Sequence, residues 1–421
     1  MFISPVLRRL VAATVLALAA TACSTRAPGA ETSTAGSGAV TVKTGPGVTA
    51  DTITLGALSD LSNVFGPQGK TLVQGNELYF KQQNAKGGIC GRQVKLEVRD
   101  HAYNVQTSVS QFSALEPKVL GFVQLLGSPM VAALSPKIAS TKAVTLATTW
   151  STVWLKKDGL VVTGSSYPVD IINGLQYLLD GGLIKKGDTI GHVYFEGDYG
   201  SNALLGSQHA ADALGLTVKP VQVTPTVTDL TAQFNELRSG GTDLAAILVS
   251  AGPRQTASLA GLASSSGLDV PILVNGPGFD PALLDTPVGD ALTKHLYVSS
   301  SYEPFSGKSS AAQAIAKDYA TAYPDGKPTM VVNYGYAAAS VMGQALDAAC
   351  KKGDLTREGL ASAMRSLTSV QTGVMPTMNL SDNSKYPSTS SYISRVDAKV
   401  PGGLVVAKEP FTSPVAETFA G

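Results

Sequence analysis

The sequence is poor in the residues that carry most catalytic chemistry. It has only three cysteines and four histidines among 421 residues, and none of them forms an HxxH, HExxH or Cys/His cluster. Zinc and related metals need such clusters, so the sequence argues against a metal site. No GxSxG, Walker GxxxxGK or GxGxxG motif occurs either. We therefore expect no cofactor and no serine nucleophile.

Charge is also scarce. Charged residues make up 15% of the chain and the formal net charge is +1, without a long basic run or interleaved basic and aromatic residues. This pattern argues against a nucleic-acid partner. Apolar residues make up 44%, which indicates a globular protein, and the length suits two domains of ordinary size.

A few isolated carboxylates could in principle serve as general acids or bases. Asp60, Asp100, Glu196 and Asp198 lie at or near the ends of predicted strands. Such carboxylates more often cap helices or sit on the surface. We predict that the protein is not an enzyme, and an exported enzyme that uses these groups remains the less favoured alternative.

Only one long apolar run is present, and it lies at the N-terminus. Arg8 and Arg9 precede the 13-residue run Leu10–Ala22. A run of this length is too short to cross a bilayer core of about 30 Å and is typical of an export signal. The segment that ends in Cys23 resembles the lipobox of bacterial lipoproteins, which implies cleavage before Cys23 and lipidation of its thiol. An ordinary signal peptide followed by an incidental cysteine is the alternative.

The segment after Cys23 cannot form a core of its own. Residues 24–50 contain no aromatic residue and are rich in Ser, Thr, Gly, Ala and Pro. This composition predicts a flexible tether. We assign residues 1–22 to the signal peptide and 23–50 to the tether.

Beyond the tether, strand and helix patterns alternate. The alternating segment Ile53–Leu58 predicts a strand, Gly69–Lys86 an amphipathic helix, and Val94–Val98 the next strand. The same order continues to residue 147, restarts after Gly164 and runs to residue 274. Helical patterns follow up to residue 367, and the tail has the composition of loops and short strands. Strands separated by helices predict parallel sheets in an α/β fold.

Two cysteines remain in the predicted mature domain. Cys90 lies in the turn after the first helix, and Cys350 ends the helical pattern Tyr334–Cys350. Outside the cytoplasm these two can form a disulfide. Two free buried thiols are the alternative.

Several motifs, in this order and spacing, resemble the branched-chain amino-acid (leucine/isoleucine/valine) type of ABC-transporter substrate-binding protein. The resemblance covers residues 51–370. The motifs are GGICGR at 87–92 with the strand that follows, Gly127-Ser128, Thr148–Thr152, YFEGDYG at 194–200, Leu244–Ser250 and VNYGY at 332–336.

The resemblance implies a periplasmic binding protein type I fold. Two Rossmann-like lobes with parallel sheets are joined by three crossover hinge segments, and the ligand lies in the cleft between the lobes. We place the crossovers near Thr163–Ser166, Val298–Tyr302 and Val370–Pro376. Lobe 1 then holds residues 51–164 plus 300–370, and lobe 2 holds 165–299 plus 371–421. Cys90 and Cys350 fall in the same lobe, which favours their pairing.

The resemblance also assigns ligand-binding positions in lobe 1. Phe65 takes the place of an aromatic wall. Ser128 stands at a helix start, where its hydroxyl and nearby amides hold a carboxylate or merely cap the helix. Trp150, Ser151 and Thr152 stand where relatives offer a carbonyl, an amide and a hydroxyl.

In lobe 2 the match is less regular. Tyr199 takes an aromatic position, with simple packing as the alternative. Tyr334, which belongs to lobe 1, lies near a further apolar contact. Ala251-Gly252 replaces a tyrosine of the amino-acid binders, and Asn275-Gly276 replaces their acidic partner for the ligand's ammonium group. These changes predict a pocket that is more aromatic and less anionic than an amino-acid site.

The resulting hypothesis is an extracytoplasmic substrate-binding lipoprotein of an ABC importer. It captures a small organic solute by lobe closure: a hydrophobic or branched-chain amino acid, an amide, or an aromatic or aliphatic carboxylate. We expect a monomer that works with membrane permease subunits and is anchored to the outer face of the cytoplasmic membrane or lies in the periplasm. The alternative is a ligand-sensing receptor domain that acts through a signalling partner.

Overall fold

The computed structural model describes residues 42–419. The predicted signal peptide, the lipidation site Cys23 and the tether up to residue 41 lie outside the described residues. None of the helices between residues 42 and 419 combines the length and hydrophobicity of a membrane span.

Two large sheets organise the described chain. The strands are β1 Lys43–Thr44, β2 Thr52–Ser59, β3 Gln93–Asp100, β4 Phe122–Leu126, β5 Thr145–Thr148, β6 Leu160–Val161, β7 Thr189–Phe195, β8 Thr217–Val223, β9 Leu244–Ser250, β10 Ile272–Asn275, β11 Leu296–Ser300, β12 Asp354–Leu355, β13 Ser391–Val396 and β14 Leu404–Phe411. The first sheet is parallel, in the order β3-β2-β4-β5-β6. The second has the order β14-β13-β11-β10-β9-β7-β8, with β13 and β14 antiparallel at one edge.

Helices connect the parallel strands, as a parallel sheet requires. They are α1 Gly66–Ala85, α2 Val105–Leu115, α3 Ser128–Thr141, α4 Tyr167–Asp180, α5 Asp198–Leu214, α6 Thr231–Leu237, α7 Pro253–Ser265, α8 Gly289–His295, α9 Ser310–Ala322, α10 Val331–Lys351, α11 Arg357–Arg365 and α12 Pro414–Thr418. The predicted α/β fold class is confirmed.

Helix α10 packs at very short distance against α1, the first helix of the first sheet. A Cβ atom on Gly75 of α1 would lie 2.3 Å from the carbonyl oxygen of Val332, and one on Gly335 of α10 would lie 2.1 Å from that of Leu72. Only glycine fits at such a backbone approach. Beyond this crossing a disulfide joins Cys90 to Cys350, with Cα atoms 5.8 Å apart. The free-thiol alternative is therefore set aside.

The predicted end of the tether needs a correction. Lys43 and Thr44 form a parallel pair with Asp354 and Leu355, and a Cβ on Gly47 would lie 2.6 Å from the backbone nitrogen of Leu120. Residues 43–48 therefore belong to the folded body. The sequence could not show this, because the strand partner lies about 300 positions away.

Three segments that connect the sheets meet around one buried carboxyl group. Asp170 in α4 accepts hydrogen bonds from Ser165 Oγ at 2.5 Å and from Ser391 Oγ at 2.6 Å. Ser299 Oγ donates to the backbone oxygen of Asp170 at 2.7 Å. Ser165 lies between β6 and α4, Ser299 lies on β11, and Ser391 begins β13. Asp170 therefore links three segments of the chain that are distant in sequence.

The free energy of unfolding should depend on the protonation state of Asp170. Burial raises the pKa of Asp170 from 3.8 to about 7, against the hydrogen bonds from Ser165 and Ser391. The folded protein then holds the proton more tightly than the unfolded chain, so the free energy of unfolding should fall as pH rises from about 4 to about 7. We expect Asp170→Asn to remove this component of the slope in urea unfolding. Asp180→Asn, at the exposed end of α4, is the control, and equal slopes in both variants would contradict the assignment.

Candidate functional site

A cavity lies between the two sheets, where the parallel strands end at their carboxyl edges. This is the usual place for ligands in α/β folds. The space between the lining residues, counted out to the open mouth, is about 500 Å³. It is lined by Phe65, Gln68, Leu72, Tyr103, Leu126, Gly127, Ser128, Thr148, Trp150, Tyr167, Tyr199, Pro277, Tyr302 and Val331.

Four of the predicted ligand-binding residues meet in this cavity: Phe65, Ser128, Trp150 and Tyr199. The other seven do not line it: Ser151, Thr152, Ala251, Gly252, Asn275, Gly276 and Tyr334. The sequence did not point to Gln68, Tyr103, Tyr167 or Tyr302, although all four line the cavity.

Phe65 is held in place by a carboxylate. It precedes α1, which begins at Gly66, three residues before the predicted start. Asp60 accepts hydrogen bonds from the backbone N–H of Asn63 at 2.8 Å and of Phe65 at 2.7 Å. The Phe65 ring packs edge-on against Tyr103, with centroids 5.1 Å apart. Asp60, one of the carboxylates considered as a catalytic group, therefore positions a cavity wall.

Asp100 also accepts hydrogen bonds from the loop between β2 and α1. It accepts from the backbone N–H of Leu61 at 2.9 Å, from Ser62 Oγ at 2.7 Å and from the N–H of Ala102 at 2.8 Å. Burial raises the pKa of Asp100, but these hydrogen bonds together lower it below its ordinary value. The carboxylate thus acts as an acceptor for the loop.

Five aromatic side chains form a continuous group on the other side of the cavity. Trp150 stacks with Tyr302 at 5.9 Å and meets Tyr334 at 4.8 Å and Tyr167 at 5.8 Å. Tyr167 contacts Tyr199 at 4.3 Å. Because Trp150 follows β5 of the first sheet while Tyr167 and Tyr199 begin helices α4 and α5 that pack on the second, the group spans the cleft. Tyr334 belongs to this group as a second layer behind Trp150.

The tyrosine hydroxyls in the group stay protonated. Burial raises the pKa of Tyr199 and of Tyr302 well above 10. Burial also raises the pKa of Tyr334 to about 12, although hydrogen bonds from Thr163 and Thr148 lower it. These hydroxyls are therefore neutral donors and carry no negative charge at physiological pH.

Two residues that line the cavity carry buried donor groups without an acceptor. Within residues 42–419, neither Trp150 Nε1 nor the hydroxyl of Tyr302 has a hydrogen-bond partner. An indole N–H can only donate, and a buried donor without a partner costs about 1–3 kcal/mol. By contrast, the hydroxyl of Tyr334 lies 3.0 Å from Thr163 Oγ1. The arrangement favours a ligand that brings an acceptor.

The position of Tyr302 accounts for the glycine at position 276, one of the two residues that replace the acidic residue of the amino-acid binders. A Cβ atom on Gly276 would lie 2.5 Å from the Tyr302 hydroxyl. Tyr302 therefore fills the space that a side chain at position 276 would need. The preceding Asn275 is turned away into the second sheet, where Ser250 Oγ donates to its Oδ1 at 2.8 Å and its Nδ2 donates to the Tyr167 backbone oxygen at 3.4 Å.

Ser128 stands at the first residue of α3 and lines the cavity. Gly127 before it has φ +102°, which other residues rarely adopt. Ser128 Oγ lies 2.6 Å from Thr149 Oγ1. The amide of Ser128 precedes the first hydrogen bond of the helix, where Met130 and Val131 donate to the Gly127 oxygen. A helix start of this kind favours negative charge.

Among residues 42–419, no charged side chain lines the cavity. Asp198, a carboxylate close to it, begins α5 beside Ser128 and Trp154. Burial raises the pKa of Asp198, although neighbouring hydrogen-bonding groups oppose the shift. Asp280 accepts from the Ala282 N–H at 2.9 Å and caps a turn. Across residues 42–419, no cluster of three His, Cys, Asp or Glu side chains could hold a metal ion.

The remaining predicted residues have other partners. Thr152 pairs with Asn202 from α5, and the Ala251 carbonyl accepts from the Tyr199 hydroxyl at 3.5 Å. Gly252 precedes α7 as its N-cap residue, and Ser151 is buried. A common feature could have revealed Tyr167: like Tyr199, it stands at the start of a helix that packs on the second sheet.

A family model and the solved structures that resemble this chain point to the same family. A family model described as periplasmic binding protein matches residues 52–401. Among solved structures, the fatty acid ABC transporter substrate-binding protein from Thermomonospora curvata is 42% identical, over 90% of this chain and 97% of that one, with a TM-score of 0.87. No curated protein matches the chain.

Two more distant structures share the fold. The branched chain amino acid ABC transporter protein from Thermus thermophilus with bound valine is 17% identical over 89% of this chain and 98% of that one, with a TM-score of 0.76. The solute binding protein from Rhodopseudomonas palustris HaA2 in complex with p-hydroxybenzoic acid is 17% identical over 87% and 99%, with a TM-score of 0.73.

The unpaired hydroxyl of Tyr302 predicts an unusual mutational response. In protein stripped of any solute by unfolding and refolding, we expect Tyr302→Phe to leave the free energy of unfolding unchanged or to raise it, because a buried orphan group is removed. The matched variant Tyr334→Phe loses a hydrogen bond and should cost about 1 kcal/mol. Denaturant unfolding measures both, and a larger loss in Tyr302→Phe than in Tyr334→Phe would contradict the assignment.

Proposed function

This chain belongs to the periplasmic binding protein family, and we propose that it is the receptor of an ABC importer for apolar monocarboxylates, such as fatty or aromatic acids. The expected similarity to branched-chain amino-acid type ABC substrate-binding proteins is confirmed, as is the role of an extracytoplasmic solute receptor. Members of this family bind small solutes and deliver them to membrane permeases. The finer statement about the solute is our proposal.

The observation that carries the proposal is the pair of unpaired donors at a cavity without charged lining. Trp150 Nε1–H and the Tyr302 hydroxyl both need an acceptor. The start of α3 at Ser128 adds a further amide and the positive end of the helix. A carboxylate offers enough lone pairs for several donors and the negative charge that a helix start favours.

The remaining surface of the cavity suits an apolar tail. Leu72, Leu126 and Val331 line it together with the Phe65 ring. Burying such a tail contributes about 0.8 kcal/mol for each CH₂ group. The name of the 42% identical relative, a fatty acid receptor, supports this solute class.

An α-amino acid fits the cavity less well. Its ammonium group would need a buried anionic partner, and no carboxylate lines the cavity. Asp198 is the nearest candidate, but burial already disfavours its charged form by raising its pKa. Branched-chain amino acids therefore stand as the second solute class, distinguished by the test below.

We further propose how the receptor is placed and how it moves. Cys23 carries a lipid anchor, and the chain from there to about residue 42 tethers the folded body outside the cytoplasmic membrane. Residues 51–164 with 300–370 and residues 165–299 with 371–421 move as two lobes around the crossings. The receptor acts as a monomer.

The most direct test compares hexanoate with norleucine, which has the same carbon chain plus an α-ammonium group. A solute that binds the folded protein raises its melting temperature by mass action. We expect hexanoate and longer straight-chain carboxylates, or benzoate, to raise the melting temperature of the refolded protein, and norleucine to raise it less. Calorimetry then gives the affinities.

Three variants sharpen this test. Tyr302→Phe should weaken carboxylate binding by roughly tenfold, the value of one hydrogen bond to a charged group, whereas Tyr334→Phe should leave the affinity unchanged. Asp198→Asn should leave carboxylate affinity unchanged or improve it. Tighter binding of norleucine than of hexanoate, with loss of that binding in Asp198→Asn, would overturn the proposal in favour of an amino-acid receptor.

A further inference from the structure

A carboxyl group beside the cavity has no countercharge. Asp198 is the first residue of α5 and directly precedes Tyr199, which lines the cavity. Its Oδ2 atom is buried and makes no hydrogen bond of ordinary geometry within residues 42–419. Among the ion pairs of this part of the chain, none includes Asp198. A buried carboxylate without a partner is costly in its charged form, so this group needs either a cation or a proton.

The groups that face Asp198 come from four other parts of the chain, and all of them are neutral. Ser128 at the start of α3 and Trp154 after β5 are hydrogen-bonding side chains beside it. The hydroxyls of Tyr103 and Tyr167 are close enough that the charge of Asp198 adds to burial in raising the pKa of both. Of these four residues, three line the cavity: Ser128, Tyr103 and Tyr167. Asp198 therefore stands directly behind the cavity wall.

A solute carboxylate at the start of α3 would lie next to this carboxyl group. Two carboxylates that share a site with little water do not both stay charged, and the pKa of one of them rises strongly. Burial already raises the pKa of Asp198, although its own backbone N–H, Ser128 and Trp154 oppose the shift. The protein group is therefore the one that gains the proton. Once protonated, a carboxyl group has an O–H that donates, whereas its charged form only accepts.

We propose that Asp198 takes up a proton when a carboxylate enters the cavity, so that the receptor binds its solute together with a proton. The proton comes from the solvent and gives Asp198 an O–H that donates toward the solute. The site carries one negative charge before binding, on Asp198, and one after it, on the solute. This inference rests on the proposed function for the solute class, and it adds a proton as a second ligand.

Calorimetry of the refolded protein in two buffers measures this proton. Phosphate and Bis-Tris at about pH 6.5 release protons with different enthalpies, so the difference between the two binding enthalpies gives the number of protons taken up. We expect between about 0.5 and 1 proton for each hexanoate bound. Hexanamide has the same chain without the charge and should bind with no proton uptake. A hexanoate enthalpy that does not depend on the buffer, or equal uptake with hexanamide, would overturn the proposal.

Two variants assign the proton to its residue. Asp198→Asn should bind hexanoate without proton uptake, because the amide does not titrate. Glu196→Gln, which changes an exposed carboxylate two residues earlier, is the matched control and should keep the uptake of the unaltered protein. Proton uptake that persists in Asp198→Asn would overturn the role of Asp198. The comparison of hexanoate with hexanamide uses the unaltered chain and does not depend on how well either variant folds.

The pH dependence of affinity gives an independent measurement. Hexanoate stays charged between pH 6 and pH 8, since carboxylic acids titrate near pH 4–5. Proton uptake on binding lowers the affinity as pH rises, by up to tenfold for each pH unit. For the unaltered protein we expect a fall of about tenfold over this range, and for Asp198→Asn a change of less than about twofold. Equally flat profiles, or an affinity that rises with pH, would contradict the proposal.

The same measurements separate this inference from the proposed function. Binding of hexanoate without proton uptake would overturn the inference alone and leave the carboxylate receptor standing. Failure of hexanoate, longer carboxylates and benzoate to bind at any pH would overturn the solute class and this inference with it.

Discussion

A buried indole N–H needs a hydrogen-bond acceptor, and that of Trp150, a residue that lines the cavity, has none within residues 42–419. Trp150 contacts three tyrosine rings, one from α4, one from the second crossing and one from α10. Its Nε1 is buried without a partner in the part of the chain that the structure describes. In our proposal, a solute oxygen supplies the acceptor that this buried donor lacks.

In our proposal, the absence of charged side chains from the described cavity lining makes the site selective for a simple carboxylate over an amino acid. Neutral tyrosine hydroxyls, an indole and a helix start can stabilise one anionic group without a countercharge. They offer an ammonium group no negative charge. Away from the cavity, the buried carboxyl group of Asp170 joins three chain segments through hydrogen bonds with serine hydroxyls.

The sequence predicted the sheets well because alternating strands and amphipathic helices are local patterns. Phe65, Ser128, Trp150 and Tyr199 follow strand ends and line the cavity, but the sequence could not show competition between side chains. Thr152 is taken by Asn202, and Asn275 by Ser250 and Tyr167, through contacts that span 25 to 108 residues along the chain. Tyr302 was missed because it lies in a segment assigned to a crossing, and its role depends on the space left by Gly276.

The indole N–H of Trp150 can be observed directly, since the chain has only two tryptophans. A ¹⁵N-tryptophan-labelled, deuterated sample gives two indole resonances, and Trp154→Phe identifies that of Trp150. On titration with hexanoate, we predict that the Trp150 indole resonance moves downfield and saturates with the binding isotherm measured by calorimetry. A Trp150 resonance that stays in place while hexanoate binds, or one that moves only with norleucine, would contradict the account.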